Sequence, residues 1–208
     1  MKIKLYFLWL FQMGLSVMGK AQPIVAESFV GINHYKYQHM FMRPFLPQGR
    51  FGYFNSSSLQ FFYDSKRQTE AMTQSYITYK LSPVFTAGAG TFYATGAGFR
   101  PSLALQVAQR KNDFFYLFFP RVDYQKSVSF ELMTLMEYRP KITEGLHFYS
   151  RLNAMCNYGP HHNRSFQNVV VGIDWKNTQV GVGLTLDEWG EEIQMQRNWG
   201  ILFKKEFL

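Results

Sequence analysis

Two sets of residues in this 208-residue chain have types suited to chemistry. The first is a pair of short polar segments. One carries His161, His162, Arg164 and Ser165; the other carries Asp187, Glu188, Glu191 and Glu192 around Trp189. An imidazole placed between a carboxylate and a hydroxyl can work as a general base. His161, His162, Ser165 and Asp187 are therefore the candidate catalytic residues, provided the fold brings the two segments together. Two adjacent histidines are a weak metal signal, and no metal is assigned. The second set is Glu131, Glu137, His147, Arg151, Asp174, Lys176, Lys204 and Glu206, with Lys80 and Arg110 joining it. These charges of both signs recur at alternate positions inside otherwise apolar segments. If such a face is buried, its charges must pair with one another.

The elements that carry these residues are strands, because the hydrophobic pattern has a period of two. Over about 127–139, Val128, Phe130, Leu132, Thr134, Met136 and Tyr138 share one face; Ser129, Glu131, Met133, Leu135, Glu137 and Arg139 share the other. The same alternation continues over about 145–157, 166–176, 178–187 and 197–208. Earlier strands fall at about 51–64, 71–82, 84–94, 101–110 and 113–121. The segment Phe114 to Phe119 is apolar on both faces, so periodicity cannot orient it. This makes about ten strands, with eight as the smaller option. Each is close to the roughly 9–11 residues that a tilted membrane-crossing strand needs. Residues 23–50 alternate poorly, and 22–50 is expected to be a periplasmic lead-in or a plug.

Composition and the N-terminal segment point the same way. Lys2 and Lys4 precede an apolar run from Leu5 to Met18, and Gly19 and Ala21 stand at small-residue cleavage spacing. That order is a secretory signal peptide over 1–21, cut after Ala21. Export argues against reading the net charge of +8 as nucleic-acid binding. The single cysteine, Cys156, rules out an internal disulfide framework. No Cys stands near the cleavage point to carry a lipid anchor. Aromatic residues make up 18% of the chain, as expected for a barrel with interfacial girdles rather than a soluble domain of this size. Gly88, Gly90, Gly181 and Gly183 lie inside strands, where glycine makes room for large facing side chains and is no phosphate loop.

Nearly every second link between strands is of the same kind, and only the one near 121–126 is too short to classify. Tight ones fall at 81–83, 110–113, 176–178 and 140–145, and polar loops near 65–70, 95–100, 158–165 and 187–196. Short periplasmic turns facing longer outer loops are a property of outer-membrane barrels. The last segment, Trp199-x-Ile201-x-Phe203-x-Lys205-x-Phe207 before Leu208, resembles the C-terminal strand of that class. It departs in its penultimate aromatic and in Lys205, which interrupts the apolar face. The resemblance is to the class of small Gram-negative outer-membrane β-barrels. It implies an all-β, single antiparallel transmembrane barrel over 51–208, polar inside and apolar outside, with both termini periplasmic.

Patterns of outer-membrane enzymes are not matched. Omptin proteases use Asp-x-Asp and Asp-x-His pairs, where this chain has Asp174-Trp-Lys176 and Asp187-Glu-Trp189. Lipid A deacylases use His-x-Ser, and His147-Phe-Tyr-Ser150 puts the two residues on opposite faces. The expected function is a non-enzymatic structural or accessory subunit of an outer-membrane assembly, secretion or uptake complex, without a cofactor. The expected partners are outer-membrane lipid, other barrels or lipoproteins, and the barrel-assembly machinery during insertion. A rim enzyme acting on lipid or peptide and a narrow channel are the alternatives.

Overall fold

The computed structural model describes residues 24–125 and 127–207. The expected signal peptide, with its cleavage site, lies outside the described residues. One antiparallel sheet closes on itself. Its strands are β1 (Ile24–Gly31), β2 (His34–Pro44), β3 (Phe51–Phe62), β4 (Glu70–Lys80), β5 (Phe85–Ala94), β6 (Gly98–Lys111), β7 (Phe114–Tyr124) and β8 (Val128–Tyr138). Then follow β9 (Lys141–Thr143), β10 (Leu146–Tyr158), β11 (His162–Trp175), β12 (Thr178–Trp189) and β13 (Gln194–Phe207). Twelve long strands form the wall, and the three-residue β9 adds a short pairing beside β10. Closure is made by β1 against β13, from Ile24↔Phe207 to Gly31↔Gly200. No long strand is left with an unpaired edge, as the hydrocarbon interior of a membrane demands.

The count of about ten strands is corrected to twelve, because residues 24–44 are wall strands and not a lead-in or plug. Their alternation is hidden by side-chain type. On β1 the aromatic Phe29 points inward and is buried, while Ser28 points outward. On β2, Lys36, Gln38, Met40 and Met42 share the inner face, while Tyr35, Tyr37, His39 and Phe41 share the outer one. Apolar methionines inside and a histidine outside blur the pattern that marks the other strands.

Links are short at both rims. At the rim holding Ile24 and Phe207 they span 45–50, 81–84, 112–113 and 176–177, with 139–145 carrying the short β9; at the opposite, distal rim they include 32–33, 63–69, 95–97, 159–161 and 190–193. The expected outer loops at 158–165 and 187–196 are therefore mostly strand. The 176–177 link is a two-residue turn in which Lys176 and Asn177 both have positive φ (48° and 62°), the hairpin geometry that matches strand twist.

The outer surface is a membrane surface. Between the rims it presents Leu103, Leu152, Val169, Val171, Ile173, Val182, Ile201 and Phe203, all exposed. Two aromatic bands border this zone. Phe51, Phe85, Phe114, Tyr138, Trp175 and Phe207 lie near the terminal rim; Phe61, Tyr93, Phe99, Tyr124, Phe130, Tyr158 and Trp199 lie near the distal one. Such girdles are where amphipathic rings settle at headgroup level. Lys205, on the outer face, stays at the terminal rim, where its amine donates to the Thr178 hydroxyl (2.7 Å) and the Lys176 carbonyl (3.2 Å).

Inside, two buried clusters form. Phe54, Tyr76 and Phe119 pack together on the β3–β4–β7 side, with Met40, Met42, Ala104 and Met133 against them. Phe29, Tyr149, Val170 and Leu202 pack on the opposite side. The Phe29 ring needs glycine beneath it: a Cβ on Gly200 would lie 2.8 Å from that ring, and one on Gly183 3.1 Å.

Candidate functional site: an ion-paired lumen

The lumen is polar because every second residue of each strand points into it. Three arginines mark its height on the β10–β13–β1 side. Near the terminal rim, Arg139 pairs with Glu137, Asp174 and Glu206, and Lys204 with Glu137 and Glu206. The Tyr149 hydroxyl donates to Glu137 at 2.9 Å. At mid-height, Arg151 donates to Glu27 and to the side-chain carbonyl of Asn168, each at 2.6 Å. Near the distal rim, Arg164 holds Asp187 in two bonds (2.9 and 2.6 Å) and reaches Glu70 at 2.8 Å. Fork-to-carboxylate bonding of this kind fixes both partners in direction as well as charge.

The other side carries one hub. Arg121 donates to Glu131 (2.7 Å) and Gln74 (2.8 Å), lies 3.3 Å from Asp123, and stacks on Phe92 at 3.7 Å. Asn157 adds a bond to Glu131 at 3.0 Å.

Charge pairing leaves an imbalance. Each inward acid, Glu27, Glu70, Asp123, Glu131, Glu137, Asp174, Asp187 and Glu206, has a basic partner. Among the described residues, Lys36, Lys80, Arg100 and Arg110 also face the lumen or its mouths and have no carboxylate within ion-pair distance. Lys36 sits over the Phe166 ring (4.7 Å) and Arg110 over Phe115 (5.0 Å).

Two cavities occupy the lumen. The terminal one has a volume of about 380 Å³ and reaches from Lys80, Arg110 and Pro83 at the mouth to Glu27, Arg151 and Asn153. The distal one, of about 20 Å³, is bounded by His34, Lys36, Gln60, Arg164 and Asp187, and again by Glu27, Arg151 and Asn153. The Glu27–Arg151 pair is thus the shared partition.

The sequence-derived residues fall into distinct places. Glu131, Glu137, Arg151, Asp174 and Lys204 are buried in the lumen, and His147, half-buried, is paired in register with Asp174. Lys176 is a correction. It occupies the β11–β12 turn, is exposed, and sits over Trp175 at 5.2 Å, because the two-residue turn takes it out of the strand alternation. Of the C-terminal residues, Trp199, Ile201, Phe203 and Phe207 all face outward.

At the distal rim, His162 and Ser165 do meet. Nε2 lies 2.9 Å from the Ser165 hydroxyl, and Nδ1 lies 2.8 Å from the Gly190 carbonyl. Asp187 does not join them. Strand parity turns it into the lumen toward Arg164, on the opposite face of the wall from Ser165. His161 is exposed beside Glu191 at 3.5 Å and touches neither. The four candidates therefore form no triad. Sequence reasoning missed Glu27, Lys36, Arg121 and Arg164 as lumen groups, and it placed Arg139 on the face of Glu131 and Glu137 without adding it to the charged set. Arg121-x-Asp123 after the apolar Phe114–Phe119 run was the available signal, since its parity places Phe119 inside as well.

Outward apolar bands, two aromatic girdles and an ion-paired interior define a small transmembrane β-barrel of the outer-membrane type. In fold, the chain is similar to a solved structure of the KdgM porin, at 14% identity and a TM-score of 0.51, covering 89% of this chain and 99% of that one. It is similarly close to a NanC porin structure, at 10% identity and a TM-score of 0.51, covering 90% and 100%. No protein-family model and no curated protein sequence matches the chain.

Proposed function

We propose that this barrel is a narrow outer-membrane channel, with both termini periplasmic, that passes small anionic solutes. The observation that carries the reading is the stacking of two lumen cavities on either side of one ion pair, Glu27–Arg151. A lumen packed from end to end would leave no chamber of about 380 Å³, while the distal cavity, about 20 Å³, has room for about one water. Twelve strands give a wider lumen than ten, which leaves room for both cavities. The anion preference rests on where the cations stand: the inward acids are all held in ion pairs, while Lys80 and Arg110 at the terminal mouth and Lys36 and Arg100 toward the distal one have no carboxylate partner among the described residues and leave their charge to a passing anion. The two porins of like fold support a channel over the accessory-subunit reading that the sequence favoured.

The test is a planar-bilayer recording of the purified protein across a potassium chloride gradient. A small conductance with a reversal potential on the chloride side is expected, falling toward zero preference in Lys36→Gln/Lys80→Gln/Arg110→Gln. Absence of conductance, or cation preference, refutes the reading.

One observation favours a second reading as a subunit of a larger complex. At mid-height the outer face of β2–β4 carries His39, Asn55, Ser57, Thr73 and Ser75. Asn55 bonds Ser75 (2.9 Å) and Ser57 bonds Thr73 (2.7 Å). Polar groups in that zone are costly against lipid and are commonly the glue of membrane interfaces. Site-directed crosslinking from Ser57→Cys in membranes tests it: capture of another barrel supports the reading, and capture of lipid alone opposes it.

A further inference from the structure

The terminal chamber has two unlike walls: Glu27, Glu137, Arg139, Arg151, Lys204 and Glu206 line it on the ladder side, and apolar side chains line it on the side of β2, β3 and β8. Its floor is Phe54, with Met40, Met42 and Met133 packed against the same cluster, and Leu135 borders it above Met133 on β8. These three methionines and Leu135 are only half-buried, so they keep apolar surface turned to the cavity. Apolar surface left toward water forfeits the stabilisation that burial against a guest would return. Methionine is also the side chain that best adapts its shape to a guest. At the mouth stand Lys80 and Arg110, both exposed and without an acid partner among the described residues. The two features lie on one path, from the charged mouth to the apolar floor. The volume, about 380 Å³, falls in the range of small-molecule sites.

We propose that the terminal chamber is a binding site for amphipathic monocarboxylates: an aromatic or aliphatic body on the Met40–Met42–Met133–Phe54 floor, and a carboxylate held by Lys80 and Arg110. The inference deepens the channel reading by naming the solute class, and rests on it for the passage of that solute but not for its binding. A purely polar anion would satisfy the two cations yet leave the floor facing water. A neutral amphiphile would cover the floor yet leave the cations without a partner. Only a molecule with both parts matches both the charged mouth and the apolar wall of the chamber.

The test is isothermal titration calorimetry on the full barrel in detergent micelles, with empty micelles as the blank. Three ligands are compared: 3-phenylpropionate, glucuronate and 3-phenylpropanol. Phenylpropionate is expected to bind about tenfold or more tightly than either of the others, since each lacks one of the two matched parts. In Lys80→Gln/Arg110→Gln, whose changes are confined to the exposed mouth, phenylpropionate should drop to the level of the alcohol, with the alcohol unchanged. In Met42→Gln, phenylpropionate should weaken while glucuronate does not. Equal or tighter binding of glucuronate overturns the proposal, as does alcohol binding equal to that of the acid. Binding without any bilayer conductance leaves this site standing and sinks the channel reading. Conductance without preferential binding does the reverse.

Discussion

The two walls of the lumen are built by different means. On the β10–β13–β1 side, Arg139, Arg151 and Arg164 stand one above another, each clasping acids from other strands, around the small cluster of Phe29, Tyr149, Val170 and Leu202. On the β3–β8 side a single arginine, Arg121, caps an aromatic cluster, and below it Met133 and Leu135 share the wall with Thr86 and Gln106 down to the mouth. The ladder ties seven strands by charge and leaves none of its acids without a basic partner. The aromatic wall fills space and leaves a chamber at its foot. A barrel can therefore separate the task of fixing its wall from the task of shaping a path.

The comparison is sharpest at Phe119. Phe119→Ala removes a fully packed ring that touches both Phe54 and Tyr76. A loss of about 3–5 kcal/mol in stability is expected, read by urea unfolding in lipid vesicles. Anion preference in bilayers should stay as it was, because no charge changes. A shift in selectivity would break the division between the two walls.

On the ladder, Arg151→Ala strands Glu27 without its partner. About 3 kcal/mol of destabilisation is expected, most of it recovered in Glu27→Ala/Arg151→Ala. Additive losses in that double-mutant cycle would mean that the pair does not act as a unit. Next in size is Gly200→Ala, whose Cβ would meet the Phe29 ring and the Val30 carbonyl. It should cost about 1–3 kcal/mol, and Phe29→Leu in the same chain should restore part of it. A neutral Gly200→Ala would show that the ring does not need its glycine floor.

Much of this contrast was legible in the sequence, but unevenly. Strands with aliphatic outer faces, such as Val169-x-Val171-x-Ile173 and Val180-x-Val182-x-Leu184, declare both their period and their polar inner side. Glu131, Glu137, Arg151 and Asp174 could be placed from such segments. Residues 24–44 could not, because Phe29 points inward onto glycines, and Met40 and Met42 turn apolar surface to the lumen. The same inversion concealed the chamber floor. Arg121 was obscured by a strand apolar on both faces. Lys176 misled because parity fails at a two-residue turn. The His162–Ser165 contact forms where the β10–β11 register slips between Asn157 and Tyr158, which breaks the alternation at the start of β11, and Asp187 on the neighbouring strand takes the other face.

The smallest expected effect lies outside both walls. Ser165→Ala loses the His162 contact on the outer face of the distal rim and should change stability by no more than about 0.5 kcal/mol, with conductance unaltered. A large change in either would assign the rim a role that neither lumen wall supplies.

The central claim is that the Glu27–Arg151 pair partitions one continuous path. Single-channel conductance of the wild-type barrel against Glu27→Ser/Arg151→Ser, at equal voltage and salt, tests it directly. A rise of severalfold in the double variant, with the anion preference retained through Lys36, Lys80 and Arg110, is the predicted result. An unchanged conductance in a variant that still folds would contradict the account, because the barrier would then lie elsewhere in the lumen.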